Sequence, residues 1–230
     1  MRQLFLLFTL CVFIVTNHYV DSLNLNSEQK LGGKWIDYII LIYFSIVLNK
    51  VNPISEHDKE LCYNYFEVKK FDKNTIIEKA GKIHLYHNFI VSGILRKYTL
   101  EETGLEITTA INTEPCFFSC YSSVMEGKIS DENLESITNC VLLSVKREDI
   151  DFLFTHGKTI HQYTILLFHK TIEEQKHKVL DLVNLTAKKR YLKFLNQYPQ
   201  LIQNVPLQHI ASLLGITPQS LSRIRKEIIE

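Results

Sequence analysis

The spacing of hydrophobic side chains changes several times along this chain, and each change marks a different kind of element. Leu4 to Thr16 is thirteen residues without a charge, preceded only by Arg2, and is too short to span a bilayer comfortably. Ile36 to Leu48 is also apolar, but Asp37, Tyr43 and Ser45 interrupt it and Asn49-Lys50 end it. It reads as a packed helix closed by Pro53. Ser55-Glu56-His57-Asp58 then gives an N-cap with an acidic residue three positions on, opening a short helix through Tyr65.

From Glu67 to about Lys146 the pattern becomes short β-branched or aromatic runs divided by glycine or polar turns. Strands are predicted at Glu67 to Phe71, Thr75 to Lys79, Phe89 to Ser92, Ile94 to Leu100, Glu106 to Asn112 and Val141 to Lys146. Gly81, Gly93, Gly104 and Gly127 mark corners, and Glu102-Thr103-Gly104 reads as a hairpin tip. Short strands at close spacing predict a small barrel or roll. No glycine-rich phosphate loop follows any of them.

After Arg147-Glu148-Asp149 helical periodicity takes over. Ile165, Phe168, Ile172, Gln175, Val179 and Leu182 recur at spacings of three, four, three, four and three, an a/d seam shorter than three heptads. This is too short for a free-standing coiled coil and long enough for a dimer helix supported by a flanking domain. An ordinary amphipathic helix lying on its own core fits the same period.

Leu207 to Lys226, LQHIASLLGITPQSLSRIRK, reads as a helix-turn-helix. Its first helix puts Ile210, Ala211 and Leu214 on one face, with the small alanine where a second helix must approach. Gly215 permits the left-handed turn, Ile216 plugs the corner, Thr217 caps the second helix and Pro218 is its first residue. Leu221 and Ile224 then point inward, leaving Gln219, Ser222, Arg223 and Lys226 on the opposite face.

Charge sharpens this reading. The 230 residues carry a formal net charge of only +1, with 46% hydrophobic and 22% charged residues, so disorder is excluded and no global field drives the chain to nucleic acid. From Thr186 onward, however, seven basic side chains face two acidic ones, a net of +5, which leaves −4 on the remainder. An acidic body with a basic end suits a modular DNA binder, because only one face has to meet phosphate.

Other chemistry is thinly represented. The cysteines at 11, 62, 116, 120 and 140 form no even framework, which points to a reducing compartment. Cys116 and Cys120 lack a second pair at metal-ligand spacing and are read as small core residues. A roll with histidines raises the alternative of a cupin-like metalloenzyme. His84 and His87, however, would lie on opposite faces of a strand and have no nearby carboxylate on it. They are read as surface or half-buried side chains. No metal, no cofactor and no catalytic residue is expected.

The chain after Gly33 resembles the Crp/Fnr transcription regulators, in particular their short Bacteroidetes-type members. The resemblance rests on Phe89-Ile90-Val91-Ser92-Gly93-Ile94-Leu95-Arg96, on Ala187-Lys188-Lys189-Arg190-Tyr191-Leu192, and most specifically on Ile210 to Arg225. It implies an α+β fold: a cyclic-nucleotide-binding-like β-roll (double-stranded β-helix) sensor at 34–157, a dimerisation helix at 158–184 and a helix-turn-helix domain at 185–230. By this resemblance the chain is a cytoplasmic, non-enzymatic homodimer that binds double-stranded promoter DNA, with RNA polymerase as a further partner and an effector of unknown identity. In nucleotide-binding members the phosphate cassette carries a Gly-Glu pair and an arginine. Here Pro115 to Asn139 aligns Ser119 and Cys120 with that pair, Glu126, Asp131, Glu132 and Glu135 surround it, and Lys128 is the only basic residue. A response to cyclic AMP is therefore not expected. No β-hairpin wing follows Ile224 in this sequence.

Base contacts are expected from Gln219, Ser222 and Arg223, with arginine suited to guanine and glutamine to adenine. Backbone contacts are expected from Thr217, Ser220, Arg225, Lys226, Lys188, Lys189 and Arg190, and dimer contacts from Ile165, Phe168, Ile172, Gln175, Val179 and Leu182. Residues 1–33 form an apolar extension for which a weak export signal, a membrane anchor and a non-native leader all remain open. The last is favoured, since an exported DNA-binding domain would have nothing to bind. A tethered sensor is the membrane alternative.

Overall fold

The structure, a computed structural model, describes Phe44, Val47, Leu48 and residues 53–229 apart from Glu114. The run Leu4 to Thr16 and most of Ile36 to Leu48 lie outside the described residues. Phe44, Val47 and Leu48 are helical, with Phe44 and Leu48 fully buried.

Helix α1 (Glu56–Tyr65) starts where the sequence places it, since the Asp58 N–H donates to Ser55 Oγ at 3.0 Å. The Asp58 side chain does not close a reciprocal box. It is buried, and its Oδ2 accepts from the Thr159 N–H (3.2 Å) and hydroxyl (2.6 Å), capping the start of the long helix α4 (Lys158–Asn184). A carboxylate is favoured there because the first amides of a helix lack intrahelical acceptors.

Among the described residues seven strands follow in two antiparallel sheets. One has the order β1 (Phe66–Phe71), β7 (Cys140–Lys146), β3 (Tyr86–Ser92). The other has the order β2 (Ile76–Glu78), β6 (Asn133–Ser136), β4 (Leu95–Leu100), β5 (Glu106–Asn112). Strand β7 explains how the two layers share a core. Cys140 and Leu142 point into the roll with Ile90, Leu95, Phe118 and Leu134, while Leu143 and Val145 point outward onto a helical layer with Phe66, Phe89, Leu153 and Ile160. A strand covered on both faces is apolar throughout rather than alternating, which is why the sequence identified it readily. Gly93 turns the chain between the sheets at φ 99°, where an added methyl would lie 2.5 Å from Cys140 Sγ.

Two features depart from the sequence reading. Strand β6 (NLES) was not expected, because its composition is polar and β-poor. It is fixed by pairing with β4 and β2 and by Leu134 in the core. The short helix α2 (Tyr121–Glu126) also interrupts the segment between β5 and β6. Helix α3 (Arg147–His156) then leads into α4, followed by α5 (Ala187–Gln197), α6 (Pro199–Asn204), α7 (Leu207–Leu213) and α8 (Pro218–Ile229). Among the described residues no helix is long and apolar enough to cross a membrane.

Candidate nucleic-acid interface and sensor cleft

Helices α7 and α8 form the turn that the sequence spacing predicts. Ile210, Ala211 and Leu221 are fully buried and pack with Tyr191, Phe194, Leu201, Leu214 and Ile224. Gly215 has φ 65°, and a methyl added there would approach Leu182 to 3.2 Å. Thr217 Oγ1 accepts from the Ser220 N–H at 3.1 Å and donates to Ser220 Oγ at 3.0 Å, so both hydroxyls are engaged in capping α8.

With Leu221 and Ile224 turned inward, Gln219, Ser222, Arg223 and Lys226 are exposed together on the outer face of α8, and Arg225 is half-buried beside them. The cluster at 188–190 divides. Lys188 is paired with Glu227 at 3.2 Å and Lys189 is exposed. Arg190 is half-buried and donates from Nε to the Leu214 carbonyl (3.1 Å) and from Nη1 to the Leu185 carbonyl (2.8 Å). Its guanidinium thus holds the turn to the end of α4.

The seam on α4 also divides. Successive a and d positions are about 60° apart around a straight helix. Ile165, Ile172 and Val179 are exposed, in line with exposed Val183. Phe168 lies edge-on to Tyr121 at 4.4 Å, and Phe168, Gln175 and Leu182 line a cleft on the protein's own side, with Ile172 both exposed and on that lining.

That cleft, about 1040 Å³, lies between the roll, α4 and the helix-turn-helix unit. Its cations come from elements the sequence reading did not connect with the Pro115 to Asn139 segment. Lys97 on β4 is paired with Glu132 (3.2 Å), and Lys178 on α4 donates to the Thr109 carbonyl (2.7 Å). Burial, and after it the nearby Lys97, holds the Lys178 ammonium below the ordinary lysine range. Burial pushes the Glu132 carboxyl up, but Lys97 and the Thr109 hydroxyl together outweigh it and hold it below the ordinary range. Lys170 and Lys193 also line the cleft, paired with Glu174 (3.7 Å) and Asp181 (2.5 Å).

The two histidines require a correction. Both are buried, not surface or half-buried, and His84 lies in the loop before β3 rather than on a strand. The His84 N–H donates to Ser123 Oγ at 2.8 Å. His87 stacks on Phe117 at 4.2 Å, with its Nδ1 3.1 Å from Ser119 Oγ. Burial holds His87 at about 3, so it is a neutral core imidazole at ordinary pH. Nothing local in the sequence marks either residue as buried. Among the described residues no group of three or more His, Cys, Asp or Glu side chains is placed to hold a metal ion. Cys120 is buried and Cys116 half-buried.

No protein-family model and no curated protein matches the sequence. Solved structures do match the fold. The c-di-GMP-responsive global regulator CLP of Xanthomonas campestris aligns with a TM-score of 0.62 at 16% identity, over 76% of this chain and 91% of that one. FixK2 of Bradyrhizobium japonicum aligns with a TM-score of 0.61 at 17% identity, over 71% and 84%. A protein of Eubacterium rectale assigned to the Crp/Fnr family of transcriptional regulators aligns with a TM-score of 0.59 at 19% identity, over 76% and 84%.

Proposed function

The fold is that of the Crp/Fnr regulators, and from it we propose that this chain is a non-enzymatic, homodimeric transcription regulator that reads double-stranded DNA with α8. The observation that carries the reading is the division of α8 into a buried row, Leu221 and Ile224, and an exposed row, Gln219, Ser222, Arg223 and Lys226. A helix so held offers a guanidinium for guanine, an amide for adenine and hydroxyls for phosphate. Two copies related by a two-fold axis present these groups to successive major grooves about 34 Å apart. Lys189, Lys226, Arg225 and the remaining N–H groups of Arg190 add sequence-independent attraction, with Thr217, Ser220 and Lys188 at its margin.

The dimer forms through α4, whose exposed stripe Ile165, Ile172, Val179 and Val183 is left for a second copy. The units of the chain are the roll at 34–157, the dimer helix at 158–184 and the DNA-reading domain at 185–230. An effector in the cleft would touch all three, which suits a molecule that biases their relative placement. Cyclic AMP fits poorly, because the four lysines lining the cleft, Lys97, Lys170, Lys178 and Lys193, are each already committed to a carboxylate or a carbonyl. RNA polymerase as a partner and a cytoplasmic site of action follow from the same reading.

Selection of bound duplexes from a random pool by the full chain tests the proposal. A palindromic product with half-sites one turn apart is expected. A protein that stays monomeric and retains no duplex in dilute buffer would overturn it.

A further inference from the structure

The helix-turn-helix unit is joined to the sheet β2-β6-β4-β5 by a polar contact that none of the preceding roles uses. Strand β5 is one of the two edge strands of that sheet, and α7 lies along it. The edge amide of Thr108 donates to Ser212 Oγ at 2.8 Å, so a side chain of α7 takes the place of a further strand. One turn earlier on α7, His209 Nδ1 meets Arg96 Nη1. Arg96 on β4 is 1% exposed, its guanidinium 4.0 Å from the Tyr98 ring. It donates from Nε to Glu135 Oε2 (3.1 Å) and from Nη2 to Glu106 Oε2 (2.5 Å). Ile94 and Ile137 of the roll pack with Ile210 and Leu214 beside this contact.

An arginine has only donors, so His209 must accept through Nδ1 and carry its proton on Nε2. A second proton removes the acceptor and places a cation against a guanidinium. We propose that the Arg96–His209 contact is a pH-sensitive latch, which holds the helix-turn-helix unit on the sheet edge while His209 is neutral and releases it on protonation. The charged and titratable groups around His209 are Arg96 and Tyr98 on β4, Glu106 on β5 and Glu135 on β6. Both carboxylates are taken by Arg96, which stands between Glu135 and the ring. Burial and then Arg96 lower the His209 imidazole to about 4 against the opposing pull of Glu106. The released unit binds the proton near the ordinary 6.5. Acid therefore favours release, beginning below 6.5 and complete near 4. From pH 7.5 to 5.5 the release equilibrium shifts about ten-fold. The consequence at DNA rests on the proposed function, since freeing α7 frees α8, but the latch is measured without DNA.

Amide hydrogen exchange on the full chain tests it, with protection corrected for the intrinsic pH dependence of exchange. Thr108 reports the latch and Leu143, in the central strand β7, reports the fold. His209→Gln keeps an acceptor for Arg96 and does not titrate, while His209→Lys carries a fixed cation. Between pH 7.5 and 5.5, Thr108 protection is expected to fall about ten-fold further in the wild type than in H209Q, with Leu143 changing equally in both. In H209K, Thr108 is expected to be poorly protected at both pH values. Equal pH slopes at Thr108 in the wild type and H209Q would overturn the latch, and this comparison stands even if H209K does not fold. Loss of duplex binding with the Thr108 difference intact would overturn the proposed function and leave the latch.

Discussion

Substituting Ile172 by glutamate tests whether two chains meet along α4. Ile172, Val179 and Val183 are 62%, 59% and 78% exposed, and Ile165 is 40% exposed, all on one stripe. Fully burying one aliphatic side chain contributes about 2 kcal/mol, so covering what these four leave open contributes about 5 kcal/mol per protomer and about 10 for a symmetric pair. Association itself costs on the order of 4–15 kcal/mol. The stripe therefore has little surplus, and losing part of it has a large effect. The two copies of Ile172 contribute about 2.5 kcal/mol, or about 70-fold in the dimer dissociation constant, before the cost of bringing two carboxylates together. Sedimentation velocity at micromolar concentration is expected to show a dimer for the wild type and a monomer for Ile172→Glu. The far-UV circular dichroism of the folded chain should be unchanged, because Ile172 is 62% exposed in the single chain. A variant that dimerises as tightly as the wild type would refute α4 as the interface.

Three further outcomes are expected. Arg223→Ala should weaken binding to a cognate duplex by about 1–3 kcal/mol and relax preference at one base pair, read by fluorescence anisotropy across single-base variants; a uniform loss on every sequence would make Arg223 a phosphate contact. Gly215→Ala should cost about 1–2 kcal/mol in urea denaturation, because the residue sits at φ 65° and the new methyl would approach Leu182 to 3.2 Å. His87, held at about 3 against an ordinary 6.5, favours the fold while neutral, so its contribution is complete above pH 6.5 and is lost as pH falls toward 3. Between pH 7.5 and 5 the loss of stability should be about 2 kcal/mol smaller in His87→Gln than in the wild type, by urea denaturation at the two pH values.

Much of the helix-turn-helix unit was legible in the sequence. Its determinants are local: a left-handed glycine, a threonine cap, a proline at the first helical position and an inward pair at 221 and 224 act within twenty residues, so spacing alone places Arg223 and Gln219 outward. The apolar strand segments were legible for a related reason, since β7 and the Phe89 to Val91 part of β3 are hydrophobic, whereas the start of β3 at Tyr86-His87-Asn88 is polar and was not read as strand. Strand β6 was not, because its polar composition is overruled by the strands on either side of it. The same holds for the histidines. Burial of His84 and His87 depends on Ser123, Phe117 and Ser119, each more than 25 positions away in the chain.

Sequence by itself therefore determined the order of roll, long helix and helix-turn-helix, and the side chains exposed on the outer face of α8, because helical and strand periodicities and caps act over a few residues. Only the tertiary structure decided that Phe168, Ile172, Gln175 and Leu182 of the α4 seam line the protein's own cleft, that Lys97 and Lys178 converge there, and that Arg96 meets His209 across 113 residues. Such meetings depend on how two sheets and a helix bundle pack, and the energies that fix them come from desolvation and charge pairing between distant residues, which no short window of sequence encodes.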